Sequence, residues 1–145
     1  MAVNNLIKRL QNIMRQDAGI SGDAQRIEQM VWMFFLKVYD AQEEVWEYKA
    51  YKEKRDFESI IPEPLRWRNW AVDNNDGKAL TGDELIKFVN DTLIMGLKKL
   101  EVNEYTPKRH LIVWQMFQDA SNFMKNGTKL RQMINELNQK DFTNS

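Results

Sequence analysis

The sequence predicts an all-α domain, a bundle of about five or six helices with an irregular loop anchored by tryptophan. Three observations carry this. Apolar residues recur at three- and four-residue spacing nearly throughout. No stretch shows strand-like alternation. The breaks between periodic segments fall at glycine, proline and asparagine clusters.

Leu6, Leu10, Ile13 and Met14 define a first amphipathic helix. The stretch from Asp17 to Gly22, with two glycines, ends it. A second helix starts near Ser21–Asp23, where either residue has a capping side chain. It carries Ile27, Met30, Val31, Phe34, Phe35 and Val38. Apolar residues on nearly every side of 30–36 predict a central, buried helix running to about Tyr51. The acidic and basic residues mixed through 41–58 read as a solvated face.

Pro62, Pro64 and the Asp73–Gly77 cluster frame the irregular segment. A long loop inside a small domain must be packed by its own side chains, and Trp67 and Trp70 are the expected anchors. Thr81-Gly82-Asp83-Glu84 has capping-box form, and Leu85, Phe88, Val89, Leu93, Leu97 and Leu100 follow at helical spacing. Thr106–Pro107 is expected to cap and open the next helix, with Leu111, Trp114, Phe117 and Phe123 on its apolar side. Asn126–Gly127 is expected to stop that helix. Thr128 then restarts a short one with Leu130, Met133, Ile134 and Leu137.

Composition bounds the chemistry. The 145 residues suffice for one domain with a real core. Hydrophobic residues make up 43%, with 5 Trp and 7 Phe, so this is a folding chain and not a disordered tail. There is no cysteine and one histidine, His110, which excludes a disulfide framework and a thiolate or histidine-rich metal site. No apolar run approaches the roughly 20 residues of a membrane span, so no membrane association and a cytoplasmic location are expected. Lys+Arg and Asp+Glu both count 21. A chain that binds DNA tightly by itself usually carries excess positive charge. The charge is nevertheless uneven. Between Tyr105 and Arg131 five cations face one carboxylate, Asp119.

No two glycines have G-x-G spacing and no two prolines are adjacent. A Gly-rich turn lets backbone approach a nucleotide-like cofactor, and an N-P-P-[FY] motif holds a flipped adenine in amino-methyltransferases. Neither is present, nor is a P-loop. His110, Asp119 and Ser121 lack the phase of a nucleophilic triad. Glu43–Glu44 and Asp73–Asp76 offer carboxylates without a defined pocket. No catalytic, cofactor-binding or metal-binding residue is assigned.

Two basic groups remain. Arg66 and Arg68 interleave with Trp67 and Trp70, a pattern that can contact phosphate and stack on bases. The same pattern also serves as a buried aromatic anchor with arginines paired to carboxylates such as Asp73. Lys125, Lys129 and Arg131 flank Asn126–Gly127–Thr128, where a helix N-terminus favours anions; ordinary charge placement at a helix end explains them equally. These five are the candidate contacts to DNA or to a partner.

The blocks "IMRQDAGISGDAQRIEQMVWMFFLK", "IPEPLRWRNWA", "TGDEL" and "NFMKNGTKLRQMIN" occur in this order. In order and spacing they resemble the N-terminal domain of the modification (M) subunit of type I restriction–modification enzymes. The resemblance covers roughly residues 6–142 and is weakest at 41–58 and 99–107. It implies one helical N-terminal domain over 1–145. A Rossmann-like catalytic domain would follow "INELNQKDFTNS" and is absent here. It implies a parent enzyme that methylates adenine in DNA with S-adenosylmethionine, this segment itself holding no cofactor. The implied partners are DNA, a specificity subunit and a second M subunit, with a nuclease/translocase subunit as a further candidate. The implied role is non-catalytic: clamping DNA and contacting subunits. The rival expectation is a free-standing helical interaction or regulatory module.

Overall fold

The computed structural model describes residues 2–73 and 79–142. Within them the regular structure is entirely helical: α1 (Ala2–Met14), α2 (Gly22–Lys52), a 3-10 turn (Glu63–Leu65), α3 (Trp67–Trp70), α4 (Gly82–Lys87), α5 (Ile94–Lys98), α6 (Lys108–Gln118) and α7 (Gly127–Asn138). A π-helical stretch, Phe88–Leu93, joins α4 to α5 without a break. Counted as one rod, α4 and α5 leave six helices among the described residues.

The π stretch follows from the sequence. Leu85, Val89, Leu93 and Leu97 are all fully buried and recur every four residues. That spacing overshoots the 3.6-residue α period, and the wider turn keeps all four on the core side. α7 packs against both α1 and α4, and α6 lies along α5. The core joins Leu6, Leu10 and Met14 of α1, Trp32, Met33 and Leu36 of α2, Val113 and Phe117 of α6, and Leu130, Met133, Ile134 and Leu137 of α7.

The loop between α2 and α4 is anchored as the two tryptophans predict. Trp67 and Trp70 are 1% and 5% exposed, and their rings meet edge-to-face at 5.2 Å. Each indole N–H has a partner, as buried indoles require. Trp67 Nε1 donates to Asn138 Oδ1 at 2.7 Å and Trp70 Nε1 to the Leu65 carbonyl at 3.0 Å. Most of the Asp73–Gly77 cluster lies outside the described residues.

Four local expectations are corrected. α2 is not buried all round: Ile27, Val31 and Val38 are exposed. The helix lies across the bundle and leaves one apolar stripe uncovered. Thr81 is the N-cap of α4, but its side chain makes no capping bond, because Gly82 turns the first peptide away with φ +60°. Thr106 does not cap α6. Its Oγ1 instead accepts from Asn103 N at 2.8 Å to close a turn, and Pro107 is the N-cap. Asn126–Gly127 does not end the preceding helix, which stops at Gln118. Asn126 is the N-cap of α7, its Oδ1 accepting from Lys129 N at 3.0 Å, and Phe123 belongs to the loop between.

That loop is pinned by buried polar groups. Asp17, 4% exposed, accepts from Gly19 N at 2.7 Å, Lys125 N at 3.0 Å and Asn126 N at 2.8 Å. Gln29, fully buried on α2, accepts from Phe123 N at 2.7 Å and donates to Asn122 Oδ1 at 2.9 Å. The N-termini of α4 and α7 meet backbone to backbone here. A Cβ on Gly127 would lie 1.8 Å from the Gly82 carbonyl oxygen.

Gly127→Ala therefore has to force two helix ends apart and is expected to cost about 3 kcal/mol or more, read as a fall in the urea midpoint. Trp67→Ala should cost about 3–5 kcal/mol; an unchanged melting temperature would remove Trp67 from the anchor.

Candidate functional site

The structure separates the five candidate cations. Arg66 and Arg68 lie at the start of α3, facing the acidic side of α2. Arg68 Nε donates to Asp40 Oδ1 at 2.9 Å and its Nη1 to Glu47 Oε2 at 2.8 Å. Arg66 Nε donates to the Ile61 carbonyl at 2.9 Å. The carboxylates that meet Arg68 thus include two that stand 28 and 21 residues earlier on α2. With both indoles buried, neither Trp67 nor Trp70 presents a face to a base.

Beside this pair lies Glu43, 1% exposed, with one carboxylate oxygen unpartnered among the described residues. Burial pushes its pKa up, against a hydrogen bond from Ser59 and the field of Arg66. Burial likewise raises Asp40 against the opposing pull of Arg68. A charge without full pairing in such a site is costly.

Arg131 sits apart, on α7, and bridges the two sides of the 72–80 segment. Its Nη2 donates to the Ala71 carbonyl at 2.7 Å and its Nη1 to the Leu80 carbonyl at 3.4 Å. Lys125 and Lys129 stand one turn away at the α7 N-terminus, where Lys125 is exposed and Lys129 half-buried. Their backbone amides donate to Asp17 and Asn126, and neither ammonium group makes a hydrogen bond or salt bridge among the described residues. Of the five cations, these two flank the N-terminus of α7 without an internal partner for their charge among the described residues.

A third feature escaped the sequence reading. A groove of about 840 Å³ runs along the uncovered stripe of α2, lined also by Ile112 of α6 and Ile7 of α1. Its lining is almost wholly aliphatic and aromatic, with Lys108 and Arg109 as its only charged members. The signal was present in the four- and three-residue spacing of Ile27, Val31, Phe34 and Val38. Core-facing and outward-facing stripes cannot be told apart when both are apolar.

The match to known proteins decides what kind of domain this is. The family described as the HsdM N-terminal domain matches residues 3–137. The chain belongs to the HsdM N-terminal domain family. It is 48% identical over 145 residues to the type I restriction enzyme EcoEI methylase subunit of Escherichia coli, covering 100% of this chain and 28% of that protein. It is similar in fold to a modification subunit, described as that of a type I restriction enzyme, from Vibrio vulnificus. There the TM-score is 0.84 at 31% identity, over 94% of this chain and 30% of the other. A chain from a type I R-M system, solved to address complex assembly and conformational transition, matches at TM-score 0.74 and 32% identity. That match covers 94% of this chain and 25% of the other. The HsdM N-terminal domain described here thus spans little more than a quarter of the length of the methylase subunit it matches.

S-adenosylmethionine is the methyl donor that a methylase implies. The residues of this domain do not fit it. The large groove has no carboxylate in its lining to meet ribose hydroxyls or a sulfonium charge, and the chain has no Gly-rich turn. No group of three or more metal-ligating side chains occurs among the described residues. No described helix is long and apolar enough to cross a membrane.

Glu43 supplies a test of the α2–α3 packing. Its folded-state pKa lies above the unfolded value, so its contribution to stability is fully present below the unfolded pKa. That contribution is lost as pH rises through the folded pKa. Glu43→Gln should raise the melting temperature at pH 7 and flatten its change between pH 7 and pH 5. A lower melting temperature at pH 7 would mean that the ionised carboxylate is a net stabiliser there.

Proposed function

We propose that this HsdM N-terminal domain is the non-catalytic part of an adenine-specific DNA methylase subunit, helping to clamp DNA and contacting neighbouring subunits. The observation that carries the reading is the family match across residues 3–137, with 48% identity to a type I methylase subunit. Methyl transfer and S-adenosylmethionine binding belong, in this reading, to the polypeptide outside this chain. The domain's partners are DNA, a specificity subunit and a second methylase subunit, with a nuclease/translocase subunit joining for restriction.

Lys125 and Lys129 are the leading DNA contacts among the five cations. Both sit where an α-helix N-terminus adds to their field. Arg66, Arg68 and Arg131 already donate to groups within the domain and contribute position more than contact. A neutral chain with local basic patches suits a domain that binds DNA only within an assembly, where other subunits supply most of the affinity.

The test is reconstitution of a full-length subunit with its specificity subunit, with and without residues 1–145. Deletion is expected to weaken DNA binding at least tenfold; undiminished affinity would overturn the clamp. In the intact assembly, Lys125→Gln and Lys129→Gln should each lower the slope of log affinity against log salt by about one, with the sequence read unchanged. Arg68→Gln should instead lower the melting temperature and leave the slope alone.

A further inference from the structure

The groove along α2 has a spacing that the fold leaves unused. Along the groove Ile27, Val31, Phe34 and Val38 are separated by four, three and four residues; the same spacing continues through Ala41, which is buried, to the exposed Val45. That is the seam of a coiled coil, with Val at each of its three equivalent positions 31, 38 and 45. Within one bundle such a stripe normally meets a neighbouring helix. Here Ile27 is 55% exposed, and Val31, Val38 and Val45 lie between 42% and 45%. From Ile27 to Val45 the seam runs about 27 Å at 1.5 Å per residue, the length of a helix of five turns. An apolar strip of that length, exposed at Ile27, Val31, Val38 and Val45, marks an interaction surface.

Its charge names the chemistry of the occupant. Lys108 and Arg109 stand at the Trp46 end of the groove, with the Arg109 guanidinium 6.0 Å from the Trp46 ring centroid. Both lie in the first turn of α6, which holds no acidic residue. Cations at a helix N-terminus oppose the helix dipole, and neither forms a salt bridge among the described residues. The groove's far end and floor carry no charge. Its complement is an amphipathic helix, apolar at coiled-coil spacing along one face, with a carboxylate near one end.

The end of the described chain names the source. After α7 the backbone returns to α2, where the Phe142 ring meets Phe34, a groove residue, edge-on at 6.3 Å. The methylase subunit that this chain matches is more than three times as long. A segment joined to Phe142 by a short linker would face the groove at about millimolar effective concentration, well above that of most separate partners.

We propose that the groove on α2 receives an acid-bearing amphipathic helix from the remainder of the same methylase polypeptide. The domain is thereby docked on its own subunit. This rests on the reading of the chain as part of a longer methylase subunit.

The chain contains no cysteine, so Val38→Cys places one thiol in the groove, and Val31→Cys is a second position should the first perturb folding. Alkylation of that peptide is followed by mass spectrometry in the 145-residue chain and in the full-length subunit. The expected result is modification at least tenfold slower in the full-length subunit. Adding Lys108→Glu and Arg109→Glu should raise that rate at least threefold there and leave the 145-residue chain unchanged. Equal rates in the two proteins overturn the proposal. So does protection that appears only when the specificity subunit is added, which assigns the groove to that partner. So too does protection of the 145-residue chain that grows with concentration, which assigns it to a second copy. Protection indifferent to the charge reversal overturns the acid-bearing helix. No arm measures DNA, so failure here leaves the clamp reading to its own affinity test.

Discussion

The Asp17 carboxylate is the point through which three separate parts of the chain are held together. It lies in the turn after α1 and is almost completely buried. A bare carboxylate there would carry a large desolvation cost. That cost is offset because it accepts backbone N–H bonds from Gly19 in its own turn and from Lys125 and Asn126 more than a hundred residues later. Charge-assisted bonds of this kind are about twice as strong as neutral ones. By fixing Asn126, Asp17 fixes the N-cap of α7. By fixing the start of α7, it sets Gly127 against Gly82 and so the start of α4. α7 then closes the core against α1 and α4. Gln29 works on the same loop from the α2 side, so residues 119–126 need no helix of their own to be ordered.

This geometry accounts for the sequence blocks. The Asp17–Gly19, Thr81–Gly82 and Asn126–Gly127 positions come from three different blocks and meet at one place. The helices themselves were legible, because their apolar periodicity reports burial directly. The Trp-anchored loop was legible too, since two tryptophans in a proline-framed segment have few places to go. The local caps were not. The motifs name residues able to cap, and a capping side chain is claimed by whichever backbone amide tertiary packing brings nearest. Thr106 closes a turn before α6, and Asn126 begins a helix where its pairing with glycine reads as an ending.

The candidate site was legible in composition and illegible in geometry, for one chemical reason. Guanidinium binds a carboxylate and a phosphate with the same planar fork. Arg68 in "RWRNW" therefore looks alike in both roles until the fold brings Asp40 and Glu47 within hydrogen-bond distance. Glu47 sits in the 41–58 stretch whose mixed charge reads as a solvated face, as does Glu43, and Asp40 borders it. Asp40 and Glu43 are in fact buried. What separates Lys125 and Lys129 from the arginines is that their bonds are made by backbone amides, while their ammonium groups have no hydrogen-bond acceptor among the described residues.

The long second helix shows where periodicity stops being informative. A helix apolar on one stripe tells which side is buried. A helix apolar on two stripes tells only that both seek cover. α2 meets one need inside the domain, with Trp32, Met33 and Leu36 in the core. The other stripe remains at the surface beside α6, with the Phe142 ring against Phe34. Leaving aliphatic side chains open along five turns favours aggregation of an isolated domain, and the same stripe favours docking inside an assembly. Apolar residues there, at coiled-coil spacing, therefore support the proposal of a covered face. Overall neutrality suits the proposed role: a domain that acts within an assembly does not need its own charge to find DNA.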